Sequence, residues 1–239
     1  MGTTYHNKPI VTDGLIFYVD AANKESYPGS GTTATDLAGP AEGTLVSGGF
    51  NSINLGAFQF DGIDDQLNFG NAVSTNIADG EDLTIDAWIR YTSDTGGDSL
   101  YPMIFTRRRS VQNQSSLTNY YLYLLNSTTS GERSIKFFTS YTNGNITSDQ
   151  AVKINTWTHI SVTCQSGLNN GTFIYKDTEQ VANFRADTAG ASNCTTIIGD
   201  SPYSSNNFPG QIASVKLYNR ALSASEVTQN YNALKNRFI

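Results

Sequence analysis

Nine consecutive residues, Leu83 to Tyr91, constrain the fold of this chain more than any other stretch. Leu83, Ile85, Ala87 and Ile89 recur at every second position, with Thr84, Asp86, Trp88 and Arg90 between them. A period of two places the sets on opposite faces of an extended strand, one against a core and the other polar or lining a groove. Ile160, Val162 and Cys164 alternate in the same way with His159, Ser161 and Thr163. Further short runs rich in aromatic and β-branched residues occur at 14–19, 56–60, 66–69, 100–106, 120–125, 134–140, 172–176, 195–199 and 211–218. Turn-forming residues separate them. More than ten short strands with regular turn signals predict an all-β sandwich or barrel. Asp61-Gly62 reads as a hairpin turn, with Gly62 supplying a positive φ.

One segment departs from this pattern. Ser223-Ala224-Ser225-Glu226 is a capping box, and Val227, Tyr231 and Leu234 follow at helical spacing. It predicts a single helix over about 224–236, laid on the sandwich by that apolar stripe. Residues up to about 13 read as an arm ahead of the first strand. With no repeat or linker, the 239 residues read as one domain spanning 1–239. A chain this long buries about 70% of its unfolded surface and needs no disulfide or metal to build a core.

The net charge of −6 disfavours a nucleic-acid partner, since such proteins carry basic patches. No run approaches the roughly 20 apolar residues that cross a bilayer, so no membrane partner is expected. The N-terminus lacks the basic and apolar regions of a secretory signal. The two cysteines, Cys164 and Cys194, are expected as free thiols, with Cys164 buried on the parity of Ile160 and Val162.

Four motifs then carry a family likeness. Phe58 to Leu67 resembles the F-D-G-x-D-D hairpin of laminin-G/pentraxin-like concanavalin-A domains. Leu83 to Ile89 is similar to their Trp-bearing strand, and Asn155 to Thr163 to their G-x-W-x-H strand. The stretch from Phe208 to Ser223 resembles their closing F-x-G-x-I…Y-N-R-A-L-S. The resemblance implies an antiparallel two-sheet jelly-roll sandwich with one short C-terminal helix. The opening Gly14 to Asn23, the segment Ser26 to Gly39 and the tail Glu226 to Phe238 are similar to laminin-G-like proteins of marine bacteriophages. That likeness implies a non-catalytic virion component in a capsid decoration, tail or fibre. Its partners would be other virion proteins or a cell-surface glycan, and its copies could associate on the particle.

The residues that could carry chemistry are few. Glycoside hydrolysis needs two carboxylates facing across a bond. The nearest candidate, Glu81-Asp82-Leu83-Thr84-Ile85-Asp86, has the wrong order and parity and reads as a polar turn entering a strand. A polysaccharide hydrolase or lyase is thus the alternative to a binding protein. His159 reads as a satisfied surface histidine. Calcium takes six to eight oxygens, and Asp20, Asp36, Asp61, Asp64 and Asp65 are the candidates for a structural ion. Against it, Asp61, Asp64 and Asp65 can simply hydrogen-bond their own turn, and Ala213 stands where relatives carry an acid. Arg107-Arg108-Arg109 reads as a strand end whose arginines splay into solvent or pair with acids, or else Arg107 or Arg109 grips an acidic sugar or a neighbouring subunit. Tyr101, Tyr141 and Tyr203 offer aromatic surface to a sugar or a protein. Partner contacts are expected on the polar connections 107–119, 141–151 and 200–209.

Overall fold

The structure is a computed structural model and describes residues 8–93, 101–109, 118–126, 131–139, 146–188, 190, 193–202 and 206–239. Two antiparallel sheets of eight strands each pack face to face, and one helix closes the chain. The first six strands are β1 (Leu15–Asp20), β2 (Thr33–Thr35), β3 (Glu42–Val46), β4 (Gly49–Asn51), β5 (Ala57–Asp61) and β6 (Gln66–Asn68). Next come β7 (Leu83–Tyr91), β8 (Met103–Arg108), β9 (Thr118–Asn126), β10 (Glu132–Thr139) and β11 (Ile146–Lys153). The last five are β12 (Trp157–Cys164), β13 (Thr172–Lys176), β14 (Glu179–Phe184), β15 (Thr195–Ile198) and β16 (Pro209–Tyr218).

The first sheet runs β14-β13-β12-β7-β16-β5-β4, and β1 also pairs with β16. β16 is long enough to hold β5 along its first half and β1 along its second. The second sheet runs β11-β10-β9-β8-β15-β6-β3-β2. The core between the sheets is built by the alternating residues: Leu83, Ile85, Ala87 and Ile89 from β7, Ile160, Val162 and Cys164 from β12, and Leu122, Leu124, Ile135 and Phe137 from the second sheet. Gly210 lets β16 approach β7 closely: its φ is +149°, and a Cβ there would lie 2.2 Å from the Arg90 carbonyl oxygen.

Two expectations are corrected here. Asp61-Gly62 forms no hairpin, because β5 and β6 belong to different sheets. Residues 61–65 carry the chain across the edge of the sandwich, with Gly62 at φ +84° against Pro209. The connection 141–151 is partly strand: β11 pairs with β10 antiparallel, with a register shift between Ser134 and Lys136.

Helix α1 (Ala224–Leu234) begins as its sequence demands. Ser223 Oγ accepts from the Glu226 amide, and Glu226 returns a bond from the Ser223 amide. Arg220 grips the same carboxylate at 2.6 and 3.1 Å and, with the cap, holds Glu226 down to about 2. A 3-10 turn, Lys235–Arg237, continues the helix. Val227 packs with Val11, Tyr175, Tyr218 and Leu222, and Tyr231, Leu234 and Phe238 pack around Trp88 and Ala213. The outward face of the first sheet is thereby covered. Its polar residues, which would face water in an open sandwich, lie under the helix.

Both cysteines are free and buried. Burial pushes the Cys164 thiol up to about 11, so it stays protonated and unreactive near neutral pH. Thiol titration with an aromatic disulfide is expected to find two groups in the unfolded chain and none in the folded one; rapid reaction of native protein would contradict this burial.

Candidate functional site

Asp86, Lys216 and His159 form a charge cluster between the first sheet and α1, and all three side chains are 0% exposed. Asp86 sits in the middle of β7, with Lys216 opposite it on β16 and His159 two positions along on the neighbouring β12. Lys216 Nζ donates to Asp86 Oδ1 at 2.9 Å, and His159 Nε2 lies 2.9 Å from Oδ2. Nε2 must therefore carry its proton. Burial alone would raise the Asp86 pKa, but His159 and Lys216 outweigh it and hold the carboxyl well below the usual range. From α1, Asn230 Nδ2 donates to Asp86 Oδ2 and to the Tyr218 hydroxyl. The Val11 amide donates to Asn230 Oδ1, and the Tyr218 hydroxyl donates to the Val11 carbonyl. The cluster thus ties the N-terminal arm and the C-terminal helix to one carboxylate. Sealed from solvent, it is a structural centre. The surface reading of His159 fails because a strand's outer face becomes interior once a helix lies on it.

An accessible groove lies on the opposite side of the sandwich. On the outward face of the second sheet, Tyr101, Met103, Arg108, Tyr121, Tyr123, Lys136 and Asn206 line a groove of about 330 Å³. The alternation that sends Leu122, Leu124, Ile135 and Phe137 inward sends Tyr121, Tyr123, Lys136 and Phe138 outward. Lys136 lies directly opposite Tyr123, with its Nζ 5.9 Å from the ring centroid, and Arg108 lies 6.0 Å from the Tyr121 ring. Tyr101, 43% exposed, meets Tyr123 edge-on at 5.8 Å, and Tyr121 stacks on Phe138 at 4.7 Å. Burial raises the pKa of Tyr121 and Tyr123, so both hydroxyls stay protonated and can donate.

Of the residues expected at a binding surface, Tyr101 is in this groove. Arg107 is not. A register irregularity in β8 turns it inward, where it is 1% exposed. Its guanidinium binds the Ala72 carbonyl at 3.1 Å, Thr75 Oγ1 at 2.9 Å, Thr196 Oγ1 at 3.3 Å and Asn76 Oδ1 at 3.2 Å. Arg108 takes the outward place. Arg109 is half-buried beyond the end of β8 and does not line the groove. Tyr141 and Tyr203 lie outside the described residues. Lys136 carried no signal beyond the alternation of β10, which is sufficient to place it outward.

The five candidate calcium ligands separate. Asp20 is saturated: Arg237 Nη1 lies 3.0 and 2.9 Å from its two oxygens, which also accept from the Ala22 amide and the Tyr18 hydroxyl. Asp36 accepts from the Tyr18 and Ala38 amides and from Ser74 Oγ. Both are structural anchors of the segment after β1. Asp61, Asp64 and Asp65 do converge, each offering a carboxylate oxygen within 4.8 Å of the others. The Ile63 amide donates to Asp61, the Asp61 amide to Asp65, and Ser47 Oγ to Asp64. Burial, reinforced by Asp61 and Asp64, raises the Asp65 pKa. Asn207 Nδ2 donates to the Ile63 carbonyl in the same loop. An all-oxygen set of this kind suits a hard divalent cation such as calcium.

Among the described residues, no helix is long and apolar enough to cross a membrane. No curated protein matches the sequence. Solved structures share the fold at low identity. Domain 4 of a GH43 extracellular arabinanase from Geobacillus stearothermophilus, in complex with arabinotriose, superposes with a TM-score of 0.62 at 14% identity, covering 91% of this chain and 98% of that one. The binding domain of Paraclostridial mosquitocidal protein 1 gives a TM-score of 0.64 at 16% identity, covering 93% of this chain and 52% of that one. Trypanosoma rangeli sialidase in complex with sialic acid gives 0.66 at 13% identity, covering 94% of this chain but only 34% of the sialidase. The family model described as the concanavalin A-like lectin/glucanases superfamily matches residues 60–228, most of the chain, and with the two-sheet fold this shows that the protein belongs to that superfamily.

Proposed function

We propose that this chain is a non-catalytic carbohydrate-binding module acting through the groove on the second sheet. The observation that carries the reading is the groove itself: tyrosines held by a rigid sheet, two cations and an asparagine around a space of ligand size. Aromatic surface suits the C–H faces of sugar rings, and the flanking polar groups suit their hydroxyls. The arabinanase domain bound to arabinotriose lends the reading support at the level of fold. No carboxylate lines the groove among the described residues, which favours binding over hydrolysis. The likeness to phage proteins favours a virion surface as the setting, with host or environmental polysaccharide and neighbouring virion proteins as partners. A glycan array followed by calorimetry tests the reading. Tyr101→Ala, at an exposed position, is expected to weaken the best ligand about tenfold, the equivalent of one lost aromatic contact. Wild-type affinity in both Tyr101→Ala and Tyr121→Ala, or turnover of a polysaccharide by the pure protein, would overturn it.

The same proposal assigns a structural calcium to Asp61, Asp64 and Asp65, pinning the loop that joins the two sheets. Millimolar calcium is expected to add about 1–3 kcal/mol of stability, a rise in Tm of roughly 3–8 °C. The effect should grow with pH. The raised pKa of Asp65 means that its contribution is complete below the ordinary aspartate value and is lost as pH rises through the raised one. Calcium binds the ionised form and offsets that loss. Asp61→Asn, which keeps the acceptor for the Ile63 amide, should remove the response; identical Tm values with calcium and with chelator would exclude the ion.

A further inference from the structure

We infer that the ligand of this groove is an anionic oligosaccharide, one carrying carboxylate or sulfate groups. The inference rests on the carbohydrate-binding reading above and goes further by naming the charge. Its basis is where the cations stand. Lys136 belongs to β10 and Arg108 to β8, the strands flanking β9, so they rise on either side of Tyr121 and Tyr123. Arg108 is paired with Thr118 and Lys136 with Tyr123, so the two are also offset along β9, and their side chains reach the Tyr121 and Tyr123 rings, which stand 5.4 Å apart. A saccharide lying across β9 on the tyrosines would meet a cation on each side.

The electrostatics point the same way. Among the described residues the groove lining contains two cations and no carboxylate. Lys136 has no ion-pair partner among the described residues, and its ammonium stands over the Tyr123 ring. Lys136 sits beside the buried Tyr123 ring and Arg108 beside the half-buried Tyr121 ring, where a charge is less screened than in open water. The arrangement is local, because the chain as a whole carries −6. Overall charge would therefore repel a polyanion, and attraction must come from the groove itself. That separates this surface from a nucleic-acid channel, where many cations follow the backbone. Arginine can clamp a carboxylate or sulfate with two parallel N–H donors, whereas lysine acts as a point charge, so Arg108 would fix orientation and Lys136 would add attraction.

Titrate the protein with an oligogalacturonate, a heparin-derived hexasaccharide, a neutral xylo-oligosaccharide and a single-stranded oligonucleotide. One of the two anionic sugars is expected to bind at least tenfold more tightly than the neutral one, with affinity falling as salt rises. The stronger of the two identifies carboxylate or sulfate as the recognised group. Lys136→Gln and Arg108→Gln should each reduce the ratio of anionic to neutral affinity about tenfold, with circular dichroism confirming the fold. A neutral sugar that binds as well as both anionic ones, a ratio unchanged in both variants, or tightest binding to the oligonucleotide would overturn the inference. If Tyr101→Ala weakens sugar binding while the charge variants leave the ratio unchanged, the carbohydrate reading stands and the anionic assignment falls. If Tyr101→Ala and Tyr121→Ala leave binding of every sugar intact, the groove itself is excluded.

Discussion

Asp86→Ala is expected to lower the stability of the fold by about 3–5 kcal/mol, a large share of what a domain possesses. The loss is not that of one favourable pair. Removing the carboxylate leaves the Lys216 ammonium at 0% exposure with its anion gone, and takes an acceptor from His159 and Asn230. Denaturant titration should show a lower midpoint, with α1 and the N-terminal arm loosened, since both converge on this carboxylate through Asn230 and Val11. Replacing Asp86 and Lys216 together by Leu and Met is expected to recover much of the loss, because an apolar pair of similar volume carries no desolvation penalty. The pH dependence has a definite sign. A depressed carboxylate pKa contributes stability above the ordinary aspartate value and loses it as pH falls through the depressed one. The parent should thus weaken progressively in strong acid, and Asp86→Ala should lack that component. A variant within 1 kcal/mol of the parent would show that water or movement of the helix satisfies Lys216.

Arg107→Leu is the second large effect. Its guanidinium gathers the Ala72 and Cys194 carbonyls, the Thr75 and Thr196 hydroxyls and the Asn76 amide into the rim between β8, β15 and the segment before β7. The Tyr120 hydroxyl donates to the Thr75 carbonyl beside it. Hydrogen bonds from a charged donor are worth more than neutral ones, and removing this hub leaves several buried acceptors without a donor. A loss of about 3 kcal/mol or more is expected by thermal and chemical denaturation. Refolded Arg107→Leu protein should retain whatever sugar binding the parent shows, because the side chain does not reach the groove. Selective loss of binding at full stability would contradict this placement.

The alternation of β7 and β12 made the core legible, and the capping box at Ser223 made the helix legible. The strands that escaped notice, β2, β3, β4, β11 and β14, are short or polar and lie at or near sheet edges. Each carries too few large apolar residues for an alternation to be read from its sequence. The site was harder to read for a related reason. Period two is reliable only while the strand stays regular, and β8 contains a register irregularity after Met103, which decides that Arg107 points in and Arg108 out. His159 and Lys216 could not be recognised as buried from their own strands, since what buries them is a separate helix that begins only at Ala224. The carboxylates of residues 61–65 were visible as a group because their convergence is local. Asp20 was not separable from them until Arg237, 217 positions away, was seen to occupy it.

The anchoring of Val11 and of α1 on one sheet has a consequence for how this protein can be presented. Both ends of the described chain leave from the side carrying Asp86, while the tyrosine groove opens on the other side. A scaffold joined at either end would hold the module by its back, with every groove facing outward. Copies held in a row on such a scaffold could engage one extended polysaccharide at several places together. Weak single-site contacts would then add up to firm attachment through effective concentration, with no change in the groove itself.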